Sequence, residues 1–258
     1  MNNITFPQLV AHRGYSKCFP ENTLLGIEQA LAAGACMVEC DVQLTRDHVP
    51  VVLHDAELVR TTGTEGNVHE LEWRELAHRS AGFQQRFPGQ FDNVTIPLLS
   101  DLVSVMQRWS TRKIFFEIKR SSLRQFGREP VLQRILEVVS PIRQQAIIIS
   151  FDFEIIAMVK EITHWQTGWV IEQWDAQNLQ RAQQLHPDYL FVDYVCLPPD
   201  LETMPPASWQ WVLYEIDDPQ LALDWNRRGV SYIETNDIGH LLQLPEFKNG
   251  ACHDNSVL

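Results

Sequence analysis

Two short runs place charged side chains two residues apart within apolar sequence. Glu39 and Asp41 lie in residues 37–42, and Glu117 lies in residues 113–119, two positions before Lys119. Both runs have the composition of strands, in which alternate side chains share a face. Val38, Cys40 and Val42 form one face of the first, and Phe116 and Ile118 one face of the second, so these apolar sets pack outward. Glu39, Asp41, Glu117 and Lys119 are thereby turned inward. His12 directly follows a further strand, Gln8–Ala11, and belongs to the same end of the fold. Three like charges gathered in a low-dielectric site need protonation or a cation. An all-oxygen ligand set suits Mg2+, Ca2+ or Mn2+ rather than zinc; the competing reading is a structural salt-bridge network. A histidine beside such a cation titrates near neutral pH and can move a proton. The expected chemistry is metal-assisted, with general acid–base help.

Strand-type and helix-type sequence alternate almost to the end. Strands are expected at Gln8–Ala11 and at residues 37–42, 113–119, 146–151, 167–171, 188–193, 211–216 and 230–235. Helices are expected at residues 23–33, 154–162, 178–185 and 219–228 and at Arg128–Val139. Short buried strands alternating with helices argue for a parallel sheet, and eight such units argue for closure into a TIM (β/α)8 barrel. The chain is thus read as one barrel domain over residues 1–258. Residues 45–99 break the rhythm with a second strand-like run at 49–54 and a polar, Gly-bearing stretch. They are expected to form an insertion after the second strand, above the barrel mouth. From about Pro245 the sequence reads as a loose tail.

Bulk properties narrow the function classes. A net charge of −12 over 258 residues opposes general nucleic-acid binding, which rests on Lys and Arg. It also requires that positive charge be concentrated locally if the substrate is anionic. No apolar run approaches the roughly 18 residues of a membrane span, so stable membrane insertion is not expected. Residues 1–6 carry neither the basic nor the apolar part of an export signal. The five cysteines (18, 36, 40, 196 and 252) contain no CxxC pair, and are expected to be reduced and largely buried. Cytoplasmic residence follows. Oligomeric state is open.

The ordered runs Val10-Ala11-His12-Arg13-Gly14, Pro20-Glu21-Asn22-Thr23, Glu39-x-Asp41-Val42 and Val51-Val52-Leu53-His54-Asp55 carry a family pattern. Arg60-Thr61-Thr62, Ile96-Pro97, Glu117-Ile118-Lys119 and Ser150-Phe151 continue it. The sequence resembles the glycerophosphodiester phosphodiesterase family, whose fold is a TIM barrel with a small insertion after strand 2. The resemblance implies that Glu39, Asp41 and Glu117 ligate a divalent cation such as Mg2+ or Ca2+. It implies that His12 and His54 form an acid–base pair, and that Arg13 and Lys119 hold the phosphate. The implied reaction releases an alcohol from a small glycerophosphodiester and leaves sn-glycerol 3-phosphate. The pattern is departed from at Tyr214-Glu215-Ile216-Asp217, where relatives often have Trp-Thr-Val-Asn, and at Thr235-Asn236, where they often have Thr-Asp.

His12 is assigned as general base and His54 as general acid, with the exchange of roles open, as is direct water attack against a cyclic phosphate. Arg13 and Lys119 have structural alternatives, as a partner of a carboxylate and as a tether for Glu117. Asn22 and Thr23 are placed at a helix N-cap and Gly14 in a tight turn. Trp169 and Trp174 are candidates for the pocket wall. A lysophospholipase D-like or cyclising phospholipase-like enzyme would need an apolar ramp, for which Phe83, Phe87 and Phe91 are candidates. A non-catalytic glycerophosphodiester-binding barrel is the non-enzymatic alternative.

Overall fold

The computed structural model describes residues 6–252; the start read above for an export signal lies largely outside them. Nine strands form: β1 (Gln8–Ala11), β2 (Met37–Leu44), β3 (Pro50–Val52), β4 (Lys113–Ile118), β5 (Ala146–Ser150), β6 (Gln166–Ile171), β7 (Tyr189–Asp193), β8 (Gln210–Tyr214) and β9 (Tyr232–Thr235). Eight of them are parallel neighbours in the order β1-β9-β8-β7-β6-β5-β4-β2, and pairing of β1 with β2 closes the ring into a TIM barrel. The helices are α1 (Leu24–Ala32), α2 (Val59–Thr62), α3 (Trp73–Leu76), α4 (Leu99–Arg108), α5 (Arg120–Phe126), α6 (Arg128–Val139), α7 (Phe153–Ile162), α8 (Ala176–Leu185), α9 (Pro219–Arg227) and α10 (Ile238–Gln243). Of these, α2, α3, α4, α5 and α10 are not among the helices expected from sequence.

The period-two pattern sorts side chains between two cores. Val10, Met37, Phe115, Ile147, Val170 and Phe191 belong to the barrel interior, where Phe115 meets Tyr189 and Phe191 edge-on at centroid distances of 5.1 Å. The alternate residues, including Val38, Cys40, Val42, Phe116 and Ile118, pack outward with the helices. Helix starts are fixed by short polar residues in the loops that precede them. Thr23, Asp152, Asp175 and Asp218 each accept a hydrogen bond from the backbone N–H three residues on, which satisfies donors the helix cannot.

β2 is longer than its sequence pattern indicates, and its last turn of pairing leaves the barrel. Residues Met37–Val42 pair with β4, whereas Val42, Gln43 and Leu44 pair antiparallel with β3. This reversal returns the chain to the mouth, where the Leu53 N–H donates to the Asp41 carbonyl at 3.0 Å. The insertion then packs on its own small core, which includes Val51, Leu53, Leu58, Val68, Leu76 and Ile96.

Two expectations fail at the base of the barrel. Cys36, just before β2, and Cys252 form a disulfide across 216 residues of sequence. The expectation of reduced thiols is overturned for this pair, and with it one of the two grounds for cytoplasmic residence. Cys18 and Cys196 are free but exposed; only Cys40 is both free and buried. The segment from Pro245 to Cys252 is not loose: Phe247 is fully buried, and the Cys252 N–H donates to the Gly34 carbonyl at 3.0 Å. The residues beyond Cys252 lie outside the described part. Among the described residues, no helix is long and apolar enough to cross a membrane.

Candidate active site

β2 and β4 deliver the acidic residues. Glu39 and Asp41 are 2% and 1% exposed, and one oxygen each from Glu39, Asp41 and Glu117 lie within 4.8 Å of one another. Lys119, the N-cap residue of α5, places Nζ 3.1 Å from Asp41 Oδ1 and 2.8 Å from Glu117 Oε1. Arg13 sits in the turn after β1 with φ 55°, followed by Gly14 at φ 84°. A Cβ on Gly14 would stand 2.6 Å from the Gly26 backbone, so glycine is required where this turn meets α1. The Arg13 N–H donates to Glu39 Oε2 at 3.0 Å, and its Nε lies 3.2 Å from Asp41 Oδ2.

The two histidines border one cavity of about 310 Å³ with Glu39, Glu117, Lys119 and Glu234, over an apolar floor of Ile149, Val170 and Phe191. His12 Nδ1 lies 3.1 Å from Asn236 Oδ1, which also accepts from Ser16 Oγ at 2.9 Å. His54 reaches the cavity from the insertion. Its Nδ1 lies 2.6 Å from Asp55 Oδ1, and its carbonyl accepts from the buried Gln43 amide at 2.9 Å. An ionic ladder links the two sides. Asp55 bonds the Arg60 Nε, Arg60 holds Glu21 through two contacts of 2.8 Å, and Glu21 accepts from Arg13 at 3.0 Å.

The electrostatics follow from burial and these partners. Burial opposes ionisation of Asp41, but Lys119, Arg13 and the Asn22 hydrogen bond override it and hold the carboxyl well below the usual carboxylate range. Burial pushes Glu39 up, reinforced by Asp41, Glu234 and Glu117. Burial likewise raises Glu117, although Lys119 opposes the rise. For His12, burial and then the Arg13 charge lower the ring from 6.5 to about 3, which keeps it neutral. The three carboxylates offer only oxygen, are gathered within bonding range of one point, and remain strained by mutual repulsion. That donor set fits a hard divalent cation.

All seven residues singled out from sequence thus meet at one mouth, but several functional neighbours escaped the sequence reading. Asn22 is not a cap: it donates from Nδ2 to Asp41 Oδ2 at 2.7 Å and accepts from the Asp41 N–H at 3.0 Å. Thr23 alone caps α1. Glu21, Asp55 and Arg60 lay inside the quoted motifs without a role, Asn236 was marked only as a departure from the pattern, and Gln43 carried no signal of its own. Glu234 and Glu215 both line the cavity; Glu234 is 4% exposed, whereas Glu215 is exposed and stands 3.8 Å from His12 Nδ1.

The aromatic candidates are placed elsewhere. Trp169 is buried among the outward-packed residues and donates to the Phe151 carbonyl at 3.4 Å, and Trp174 packs on Trp211, so neither walls this cavity. Phe87 is buried with Phe91 edge-on to it at 5.3 Å, while Arg60 covers Phe83. These rings pack against neighbours and do not form an open ramp.

A closed (β/α)8 barrel with carboxylates, cations and histidines gathered at the C-terminal ends of its strands has the architecture of a TIM-barrel enzyme. The chain belongs to the glycerophosphoryl diester phosphodiesterase family, whose model matches residues 12–231. It is 34% identical over 155 residues to a glycerophosphodiester phosphodiesterase of Bacillus altitudinis, a match covering 60% of this chain and 62% of that protein. It is 29% identical over 244 residues to one of Caldanaerobacter subterraneus, covering 86% of this chain and 98% of the relative. Among solved structures, an Oleispira antarctica phosphodiesterase in complex with the product sn-glycerol-3-phosphate shares the fold, with a TM-score of 0.81, 24% identity and coverage of 92% and 96% of the two chains.

Proposed function

We propose that this protein hydrolyses small glycerophosphodiesters to sn-glycerol 3-phosphate and an alcohol, with a divalent cation held by Glu39, Asp41 and Glu117. The observation that carries the reading is the meeting of these three carboxylates with two separately tethered histidines around one cavity. Family membership and the relatives' names support it.

A phosphodiester resists hydrolysis because its charge repels nucleophiles and its leaving group is a poor alkoxide. The cation, when bound, supplies charge neutralisation at the phosphoryl oxygens. Arg13 and Lys119 border the same point and add two fixed positive charges. His12 donates its Nδ1 proton to Asn236, so Nε2 is the ring's free nitrogen and, in a neutral ring, accepts a proton from the attacking hydroxyl. His54 is oriented from the opposite side by Asp55, and a ring carrying both protons gives the Nε2 proton to the departing oxygen. The apolar floor meets the carbon atoms of the glycerol.

A coupled assay for glycerol 3-phosphate release from glycerophosphocholine, run with Mg2+ or Ca2+ and again with EDTA, tests the proposal. Release that EDTA abolishes and added cation restores is expected. No release with any divalent cation across a panel of headgroups sinks it.

A further inference from the structure

Among the described residues, Glu234 is the only carboxylate with a buried oxygen that lacks a hydrogen-bond partner. Its position is set by β9, where it pairs in register with Val10 of β1 and Tyr214 of β8. Alternation turns Ile233 outward to the helices and Glu234 into the cavity that Glu39 and Glu117 also line. A carboxylate taken this far from water is costly unless a positive charge and hydrogen bonds compensate it.

The side-chain cations at hand are already engaged. Arg13 is committed to Glu21 and Asp41, and Lys119 to Asp41 and Glu117. His12 is tied through Nδ1 to Asn236. Glu39, Asp41, Glu117, Glu234 and the more exposed Glu215 therefore border two side-chain cations, one of which also serves Glu21, so negative charge is left in excess at the mouth. A substrate hydroxyl could satisfy the free oxygen as a hydrogen-bond donor, but would leave that excess uncompensated.

We propose that Glu234 is a fourth carboxylate of the cation site, supplied by β9 across the barrel from β4. It stands outside the trio whose oxygens lie within 4.8 Å of one another. From there it would add negative charge beside the ion, which commonly retains water molecules that a neighbouring carboxylate can accept from. Glu234 would thus set how tightly the cation is held. This inference rests on the cation reading above, and its test is independent of turnover.

The test is calorimetric titration of the full chain with Mg2+ and with Ca2+, beside thermal melts with and without each ion. Glu234→Gln keeps the shape and removes the charge; it is expected to bind the ion at least about tenfold more weakly. Its metal-free melting temperature is expected to equal or exceed that of wild type, and its rise on adding cation to be smaller. Glu234→Asp, which keeps the charge, is expected to recover most of the affinity. If Glu234→Gln folds poorly, Glu234→Leu repeats the charge removal with a side chain suited to a place beside Val10 and Tyr214. Wild-type affinity and a wild-type thermal shift in the charge-removed variant overturn the assignment of Glu234 while leaving the trio intact. No cation uptake by wild type overturns both readings together.

Discussion

Asn22 grips Asp41 at two points, donating to its carboxylate at 2.7 Å and accepting from its backbone N–H at 3.0 Å. The asparagine is held in turn by its own N–H, which donates to the Arg13 carbonyl at 3.0 Å, with φ 55°. One side chain therefore fixes a central carboxylate and ties it to the turn that carries Arg13. Asn22→Ala leaves a buried carboxylate and a buried N–H short of partners. It is expected to lower stability by about 1–3 kcal/mol and cation affinity by about 10–100-fold. Denaturant melts and calorimetric titration check the two effects separately.

His54 is bonded to Asp55 and lies outside the carboxylate trio. His54→Ala is expected to cut turnover by at least about 100-fold, the loss typical of a missing general acid, while cation affinity stays near wild type. Steady-state turnover measured beside a metal titration decides it; normal turnover would remove His54 from the reaction.

His12 gives a stability term with a defined sign. Burial first, and Arg13 second, lower its folded value from 6.5 to about 3. Between those values the unfolded chain takes up a proton that the native ring refuses, so stability is lost as pH falls. The contribution is fully present above about pH 6.5 and declines below it by up to about 1.4 kcal/mol per pH unit. Urea unfolding of metal-free wild type and of His12→Gln between about pH 7 and pH 4.5 isolates the term: the variant's profile is expected to be the flatter of the two.

The Cys36–Cys252 bond lies at the opposite end of the barrel from both histidines, since Cys36 precedes β2 and the carboxylates follow later in that strand. Cys252→Ser, or reduction of wild type, is expected to lower stability by about 2–5 kcal/mol and to leave turnover within about twofold. A melting curve with and without reductant, beside the glycerol 3-phosphate assay, reads both. A fall in turnover below the melting transition would show that the base and the mouth are coupled.

The barrel and the acidic trio were legible in the sequence because both rest on strict alternation. In β2 and β4 a charged residue interrupts an otherwise apolar run every second position, and only one face can hold it. β9 offers no such asymmetry, since Glu234 stands between Ile233 and Thr235 with Tyr232 close by, and either face could have been the inner one. The grip of Asn22 on Asp41 is a contact across 19 residues, made by a residue type whose commonest local signal is a cap. The disulfide joins positions 216 residues apart, and an odd number of cysteines hid the pair. α4 went unread because the insertion was taken to run up to its first residue, and α10 because six residues barely display a helical period.

The ladder from His54 through Asp55, Arg60 and Glu21 to Arg13 has a mechanical consequence. It braces the excursion after β2 against the turn after β1, so the His54 ring on one side cannot swing away without dragging the Arg13 guanidinium on the other. The two sides of the mouth are therefore tied together by the fold itself, and under the proposed function the cost of ordering them is met when the chain folds and not at each turnover.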